Sequence, residues 1–219
     1  QQQVEVSGAL LDNSGGKLLA GTALEVTVTR VINQARGLLF AQDINLGGTR
    51  LDNGGGTIAA QHDLGVRLLG DLDNAQGSLS SEGKLTLTGN QLDNRAGSLS
   101  SAGLLKLQAS AALLNQGGTV ESADLLDLRS ASLDNSAQGL IKSQGNATVV
   151  TGGFANDLGG RLIGSGTLDL TAGQVSNGGR IASSGALTAS LGGLLQQGEL
   201  FSNSLLSLDL NHGDLSNLG

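Results

Sequence analysis

Two adjacent stretches of the sequence are nearly the same: LDNAQGSLSSEGKLTLTGNQ at residues 72–91 and LDNRAGSLSSAGLLKLQAS at residues 92–110. Both begin with the triplet Leu-Asp-Asn, and their apolar residues, glycines and serines fall at the same places. Self-similarity at a fixed period is the signature of a repeat architecture, in which each repeat contacts only its neighbours. The pair therefore predicts a chain built by stacking one short unit.

The triplet recurs along the whole chain, and its third position is Asn in every copy except one, where Gln196 replaces it. Successive third positions lie 20, 20, 21, 20, 21, 20, 21, 21, 19 and 21 residues apart. We expect these asparagines to occupy a corner that needs a left-handed residue and to form a structural ladder of stacked, hydrogen-bonded amides. The predicted ladder is Asn13, Asn33, Asn53, Asn74, Asn94, Asn115, Asn135, Asn156, Asn177 and Asn217.

Two sets of apolar residues recur between the asparagines. The first lies about seven residues after the start of each triplet, at Leu18, Leu38, Ile58, Leu79, Leu99, Val120, Leu140, Leu162, Ile181 and Leu200. Six residues further on comes an alternating pair, such as Leu85 and Leu87. Alternation at period two predicts a strand with one buried face. Gly, Asn and Ser lie between the apolar sites, where the chain is expected to turn.

A unit of this length is too short for a pair of helices and fits one turn of a β-helix, with about three short strands joined by tight corners. The sequence therefore predicts an all-β fold, a parallel β-helix (β-solenoid) of about ten coils of 20–21 residues. At about 4.8 Å per coil, the rod would be about 50 Å long. We expect residues 1–219 to form a single segment and, because both ends fall inside a repeat, a fragment of a longer shaft.

Composition excludes several other classes of protein. A hydrophobic fraction of 38% with only 14% charged residues argues against disorder, and no apolar stretch is long enough for membrane insertion. The net charge of -7, with scattered basic residues, argues against nucleic acid, heparin-like polyanions or anionic membranes as the main partner. With no Cys, the chain has neither disulfides nor thiolate metal sites, and with no Pro its backbone can donate throughout a ladder.

Three aspartates are the strongest candidates for chemistry. Asp52, Asp73 and Asp93 belong to consecutive repeats and should stack about 5 Å apart. They would form either a cation-binding edge or, in the interpretation we favour, turn caps at a solvated corner. The calcium-binding nonapeptide pattern is absent, which weakens the first interpretation.

The remaining candidates are interpreted as surface corners. His62 and His212 are far apart and have no nucleophile motif or metal-ligand spacing. The glycine-rich stretches GGTR at residues 47–50 and GGGT at residues 54–57 open no helix, so they lack the dipole that favours phosphate. No repeat departs from its neighbours by enough to build a catalytic cleft. The sequence predicts no catalytic, cofactor-binding or metal site, and no enzyme.

The consensus L-D-N-x-x-G-x-L-x-S-x-G-x-L-x-L-x-A is similar to the haemagglutinin repeat of filamentous haemagglutinin and of the contact-dependent growth inhibition (CdiA-type) proteins, which are two-partner secretion exoproteins. The resemblance covers nearly the whole chain and weakens after about Gly145. It implies a right-handed β-helix shaft that a two-partner secretion transporter exports across the outer membrane of a Gram-negative bacterium. Such shafts are secreted or stay at the cell surface, where they project adhesin, receptor-binding or toxin modules.

Two alternatives remain open beside the shaft. In one, the solenoid surface is itself an adhesin that binds host cells or neighbouring target cells. In the other, the segment is the passenger of a single-chain autotransporter, a class that shares this fold but has less uniform repeats. The resemblance thus implies the transporter as one partner and a target-cell or host-cell surface as another, with no cofactor.

Overall fold

A computed structural model describes residues 2–219; Gln1, the first residue of the predicted segment, lies outside the described residues. Within this range the chain forms 25 strands and no helix, which confirms the all-β prediction. The strands are β1 (Val4–Asp12), β2 (Lys17–Leu19), β3 (Ala23–Ile32), β4 (Leu38–Ala41), β5 (Asp43–Gly48), β6 (Arg50–Asp52), β7 (Thr57–Ala60), β8 (Leu64–Leu68), β9 (Leu72–Asp73), β10 (Ser78–Ser81), β11 (Leu85–Gly89), β12 (Leu92–Asp93), β13 (Ser98–Ser101), β14 (Leu105–Leu114), β15 (Thr119–Ser122), β16 (Leu126–Asp134), β17 (Leu140–Ser143), β18 (Ala147–Ala155), β19 (Arg161–Gly164), β20 (Leu168–Asn177), β21 (Arg180–Ser183), β22 (Leu187–Gln196), β23 (Glu199–Ser202), β24 (Leu206–Asp209) and β25 (Leu215–Asn217).

The strands form two sheets, one of 15 strands and one of ten. The smaller sheet takes one strand from each coil, in the order β2-β4-β7-β10-β13-β15-β17-β19-β21-β23. Each strand pairs in parallel with its equivalent one repeat later, so Leu79 lies opposite Leu99 and Leu85 lies opposite Leu105. The result is the predicted parallel β-solenoid, with about 11 turns. No helix in residues 2–219 could cross a membrane.

The number of strands in a coil varies along the rod. The coil of β10, β11 and β12 has three short strands, as the repeat predicts. Further along, the second and third strands join into one long strand, as in β14, β20 and β22, each of ten residues. The joint is marked by a register shift between Ala109 and Ala112, so the corner there is a bulge within one strand.

A single hydrophobic cluster fills the space between the two sheets. Its columns repeat small aliphatic side chains from coil to coil: Leu64, Leu85, Leu105 and Leu126 stack in register and are each at most 2% exposed. A constant cross-section needs the same side-chain volume at every step, which explains why the chain contains only three aromatic residues.

In two coils, the prediction of which residue faces the core is wrong by one position. Leu39 and Ile141 are 0% exposed and fill the core, whereas Leu38 and Leu140, which the spacing predicted, are only partly buried. The cause lies in the preceding corners, which contain one more residue than the others. Because side chains alternate between the two faces of a strand, one extra residue exchanges inside for outside.

Candidate functional site

The ladder asparagines follow the larger sheet and precede the smaller one, so all of them lie at one corner of the rod. From Asn13 to Asn177, each Nδ2 donates to the Oδ1 of the next ladder asparagine at 2.7–2.9 Å. The Asn177 amide then donates to Gln196 Oε1 at 3.0 Å. Asn217 lies opposite Gln196 in register but is exposed, and within residues 2–219 its side chain makes no hydrogen bond to the chain of amides.

Each amide also binds the backbone of the following coil. Asn74 Nδ2, for example, donates to Asn94 Oδ1 at 2.7 Å and to Ser98 O at 3.1 Å. Both hydrogens of the amide nitrogen therefore have acceptors, and Oδ1 accepts from the coil before. Asn74 and Asn94 are 0% exposed, and their complete set of partners is what makes such burial tolerable.

The ladder asparagines do not have the left-handed backbone that the sequence suggested. Positive φ occurs two residues later, at Gln76 (58°) and Ala96 (52°). In the first of these corners Gly77 N donates to Asn74 O at 2.9 Å, so Asn74 is the first residue of a β-turn and Gln76 the third. Positive φ at the third position defines a type II turn. The asparagine starts the corner, and the residue that reverses the chain direction comes after it.

Three corners contain one more residue, those after Asn33, Asn135 and Asn156. After Asn33 the turn begins at Gln34, and Gly37 N donates to Gln34 O at 2.9 Å. The two central residues, Ala35 and Arg36, have φ of 52° and 67°, which is the type I′ arrangement. This extra residue displaces the inward-facing position of the next strand.

A glycine ends every one of these corners. At Gly77, an added Cβ would collide with the Asn53 backbone oxygen and lie 2.7 Å from Asn74 Oδ1. The ladder asparagine therefore requires a glycine at the end of its corner, because the amide and the backbone of the preceding coil occupy the space that a Cβ would need. The consensus contains this glycine, but spacing alone does not assign it to the ladder. The glycines whose added Cβ would meet a ladder amide are Gly16, Gly37, Gly56, Gly77, Gly97, Gly118, Gly139 and Gly160. At the last two corners, Gly179 and Gly198 lie against backbone atoms of the preceding coil instead.

A second, partial ladder of serines was missed from the sequence. It lies where the chain leaves the smaller sheet: Ser101 Oγ is 2.7 Å from Gly83 O of the preceding coil and 3.2 Å from Leu104 O. Ser122 Oγ repeats this contact at 2.8 Å from Gly103 O. The consensus does contain the feature that could have indicated this ladder, a serine two residues after the core leucine and therefore on the same inward face.

Asp52, Asp73 and Asp93 lie opposite one another in register, as expected. Asp73 and Asp93 each accept the backbone N–H two residues later, at 2.9 Å and 3.1 Å, in the turn-capping geometry that we favoured. The corner is not the solvated one we expected, because Asp52 is 2% and Asp93 7% exposed. Asp52 caps no turn in the described chain and is held instead by Arg30 Nη2 and Arg50 Nε, each at 2.6 Å. Across residues 2–219 no three His, Cys, Asp or Glu side chains are grouped so as to hold a metal ion.

Asp93 also forms an ion pair, with Arg95 Nη2 at 2.6 Å from Asp93 Oδ2. Burial raises the pKa of Asp93, but the side-chain and backbone hydrogen bonds from Arg95, together with its charge, outweigh burial and leave the pKa below its ordinary value. The ionised carboxylate is therefore part of the folded corner.

The histidines and glycine-rich stretches lie at the surface, apart from one another. His62 Nδ1 is 3.7 Å from Asp43 Oδ2 of the preceding coil, not from its sequence neighbour Asp63, and both partners are exposed. His212 lies in the last turn with φ of 70°. Residues 54–56 lie in a ladder corner and Thr57 begins β7, whereas residues 47–50 span the joint between β5 and β6 of the larger sheet. No connection between strands in residues 2–219 exceeds five residues, so the described chain has no inserted loop that could wall a cleft.

Comparison with known families agrees with this architecture. The family model of the haemagglutinin repeat matches residues 1–67, 69–130 and 101–219, which leaves out only residue 68. No curated protein and no solved structure matches the chain significantly. The resemblance read from the consensus is confirmed at the level of the repeat: the chain belongs to the haemagglutinin repeat family.

Proposed function

We propose that this chain is a rigid shaft segment of a secreted, cell-surface filamentous exoprotein, and that it holds an adhesin, receptor-binding or toxin module away from a Gram-negative bacterium. Membership of the haemagglutinin repeat family supports the coarser part: a structural, non-enzymatic solenoid of a filamentous haemagglutinin-like exoprotein. The observation that carries the proposal is the unbroken series of amide hydrogen bonds from Asn13 to Gln196. A rod linked at every coil keeps its two ends a fixed distance apart.

The ladder has a structural role in this proposal. Each amide joins its own coil to the next by two hydrogen bonds, one to a side chain and one to the backbone. A buried hydrogen bond of this kind contributes about 0.5–1.5 kcal/mol net, while leaving its partner unpaired costs about 1–3 kcal/mol. Repeated at each coil, these bonds favour one register of stacking over all others.

We assign a two-partner secretion transporter of the outer membrane as the export partner, and a host-cell or target-cell surface as the partner of the module. The family supports the first assignment in general terms. The lack of Cys is consistent with it, because no disulfide can form in the chain before passage through the transporter.

The proposal is tested by deletions in the full-length exoprotein. Deletion of residues 115–155 removes two whole coils and joins Leu114 to Asn156 in the existing register. We expect display at the cell surface and target-cell contact to persist. Deletion of residues 115–145 is the matched control; it removes one and a half coils and should abolish display. Loss of target-cell contact by the whole-coil deletion, with display intact, would contradict a spacer role.

A further inference from the structure

The outer face of the larger sheet has a depression where two glycines are diagonal neighbours. Gly65 lies between Asn45 and Thr86 in one column of outward-facing residues, and Gly47 lies opposite Arg67 in the next column. The two missing side chains leave a cavity of about 430 Å³, which we call the trough. This volume is within the range of about 300–1,000 Å³ that is typical of small-molecule sites.

Among the described residues, the charged side chains around the trough are paired, with one exception. Asp63 Oδ2 is 3.5 Å from Lys84 Nζ, and Glu25 Oε1 accepts Asn45 Nδ2 at 2.8 Å. Arg67 lines the same trough, yet among residues 2–219 its guanidinium has neither an ion pair nor a hydrogen bond. The trough therefore has an unmatched cation on one wall and hydrogen-bond acceptors on the other.

These groups define the chemistry of a ligand. A guanidinium presents its donors in a plane that matches a carboxylate in bidentate fashion. The Glu25 carboxylate and the Asn45 amide oxygen accept hydrogen bonds from hydroxyl groups. An added Cβ at Gly47 would meet only Val26 O, at 3.8 Å, so a ring can lie close to the backbone there, beside the Asn45 Oδ1 atom that lies over Gly65. A compact ring that carries several hydroxyls and one carboxylate satisfies all three features.

The charge on Glu25 does not oppose such a ligand strongly. Glu25 and Arg67 are two coils and two strand positions apart, a Cα separation of about 12 Å. Repulsion between exposed charges at that separation is largely screened at physiological ionic strength, where the Debye length is about 8 Å. The carboxylate can therefore bind at Arg67 while hydroxyls point towards Glu25.

We propose that the trough binds an acidic monosaccharide unit, such as a uronic acid, with its carboxylate on Arg67 and its hydroxyls directed to Glu25 and Asn45. The site goes beyond the proposed shaft role and does not rest on it. It would give this part of the rod a contact with acidic glycans.

The first experiment compares three small probes with the 219-residue chain by NMR titration. D-glucuronate should shift the amide resonances of Gly47, Gly65 and Arg67 in a saturable way. D-glucose, which has the ring without the carboxylate, should bind at least tenfold more weakly. γ-Aminobutyrate, a zwitterion without a ring, should not compete. Equal binding of γ-aminobutyrate and glucuronate, or no shift in the trough with glucuronate, overturns the proposal.

The second experiment uses substitutions that leave the fold intact. Arg67→Gln should weaken glucuronate binding at least tenfold, and Gly47→Thr should abolish it by filling the trough. An added Cβ at Gly47 meets only Val26 O, at 3.8 Å, and Thr27 occupies the same column, so the strand accepts threonine there.

Matched controls separate this site from general attraction to positive charge. Arg129→Gln removes an arginine from the same column, one that is already paired with Asp127 at 3.1 Å. Gly153→Thr fills an open position on another part of the sheet. Both controls should retain the affinity for glucuronate. If Arg67→Gln retains it as well, or if Arg129→Gln lowers it equally, the assignment is wrong.

Discussion

At the scale of single residues, the ladder asparagine has requirements that no other side chain meets. Its amide must donate twice and accept at least once in a space closed to water, as Asn94 does between Asn74 and Asn115. Aspartate lacks the donors, and a longer side chain changes the reach, although Gln196 shows that glutamine can accept at one step. The sequence indicated the ladder by its period, but not the directions of its hydrogen bonds.

Replacing one ladder residue tests this requirement. Asn94→Ala removes four hydrogen bonds, those with the amides of Asn74 and Asn115 and those with the carbonyls of Gly97 and Thr119. We expect a loss of about 2–4 kcal/mol in the free energy of unfolding, measured by chemical denaturation. Asn203→Ala, at an exposed position, is the control and should change stability by less than about 0.5 kcal/mol. Equal effects would show that the ladder adds nothing.

The Asp93–Arg95 pair predicts a dependence of stability on pH. The folded pKa of Asp93 is lowered, so its contribution is complete above the unfolded value of about 3.9 and is lost as the pH falls through the folded value. Asp93→Asn should therefore lower the thermal midpoint near pH 7, and the difference from the natural sequence should shrink below about pH 4. In an Arg95→Gln background the pH-dependent difference should be smaller. A difference that grows on acidification would contradict the ion pair.

At the scale of the element, the corner sets which residues face inwards. The sequence predicted the strands well because alternation at Leu85 and Leu87 has one interpretation once the period is known. It failed at Leu38, because the turn there begins one residue after the ladder asparagine and not at it, and both kinds of corner accept Gly, Gln and Ala. Turn type depends on φ at positions such as Ala35, and no residue type there dictates a positive φ.

The glycine that ends each corner gives a test at this scale. Gly77→Ala places a methyl group against the Asn53 carbonyl and the Asn74 amide, so we expect a loss of about 1–3 kcal/mol in unfolding free energy. Gly153→Ala is the matched control: its Cβ would have no heavy atom within 4 Å, so the change should be neutral or stabilise by up to about 1 kcal/mol. Denaturation of both variants checks the difference. A tolerated Gly77→Ala would mean that the ladder does not fill that space.

At the scale of the whole molecule, the fold follows from the period, whereas the surface does not. Stacking, parallel pairing and the narrow aliphatic core were all predictable, because one coil buries too little to stand alone. The trough was not predictable, because it depends on Gly47 and Gly65 becoming diagonal neighbours from different repeats. Surface depressions of this kind depend on which residues of neighbouring coils lie opposite one another. The sequence of a single repeat does not show this.

The length of the rod should be proportional to its number of coils, and small-angle X-ray scattering measures that length in solution. The chain and its variant lacking residues 115–155 should both scatter as rods of the same cross-section. Their maximum dimensions should differ by about 10 Å, the rise of two coils. Equal maximum dimensions, or a change in the cross-sectional radius, would contradict the account of a solenoid built one coil at a time.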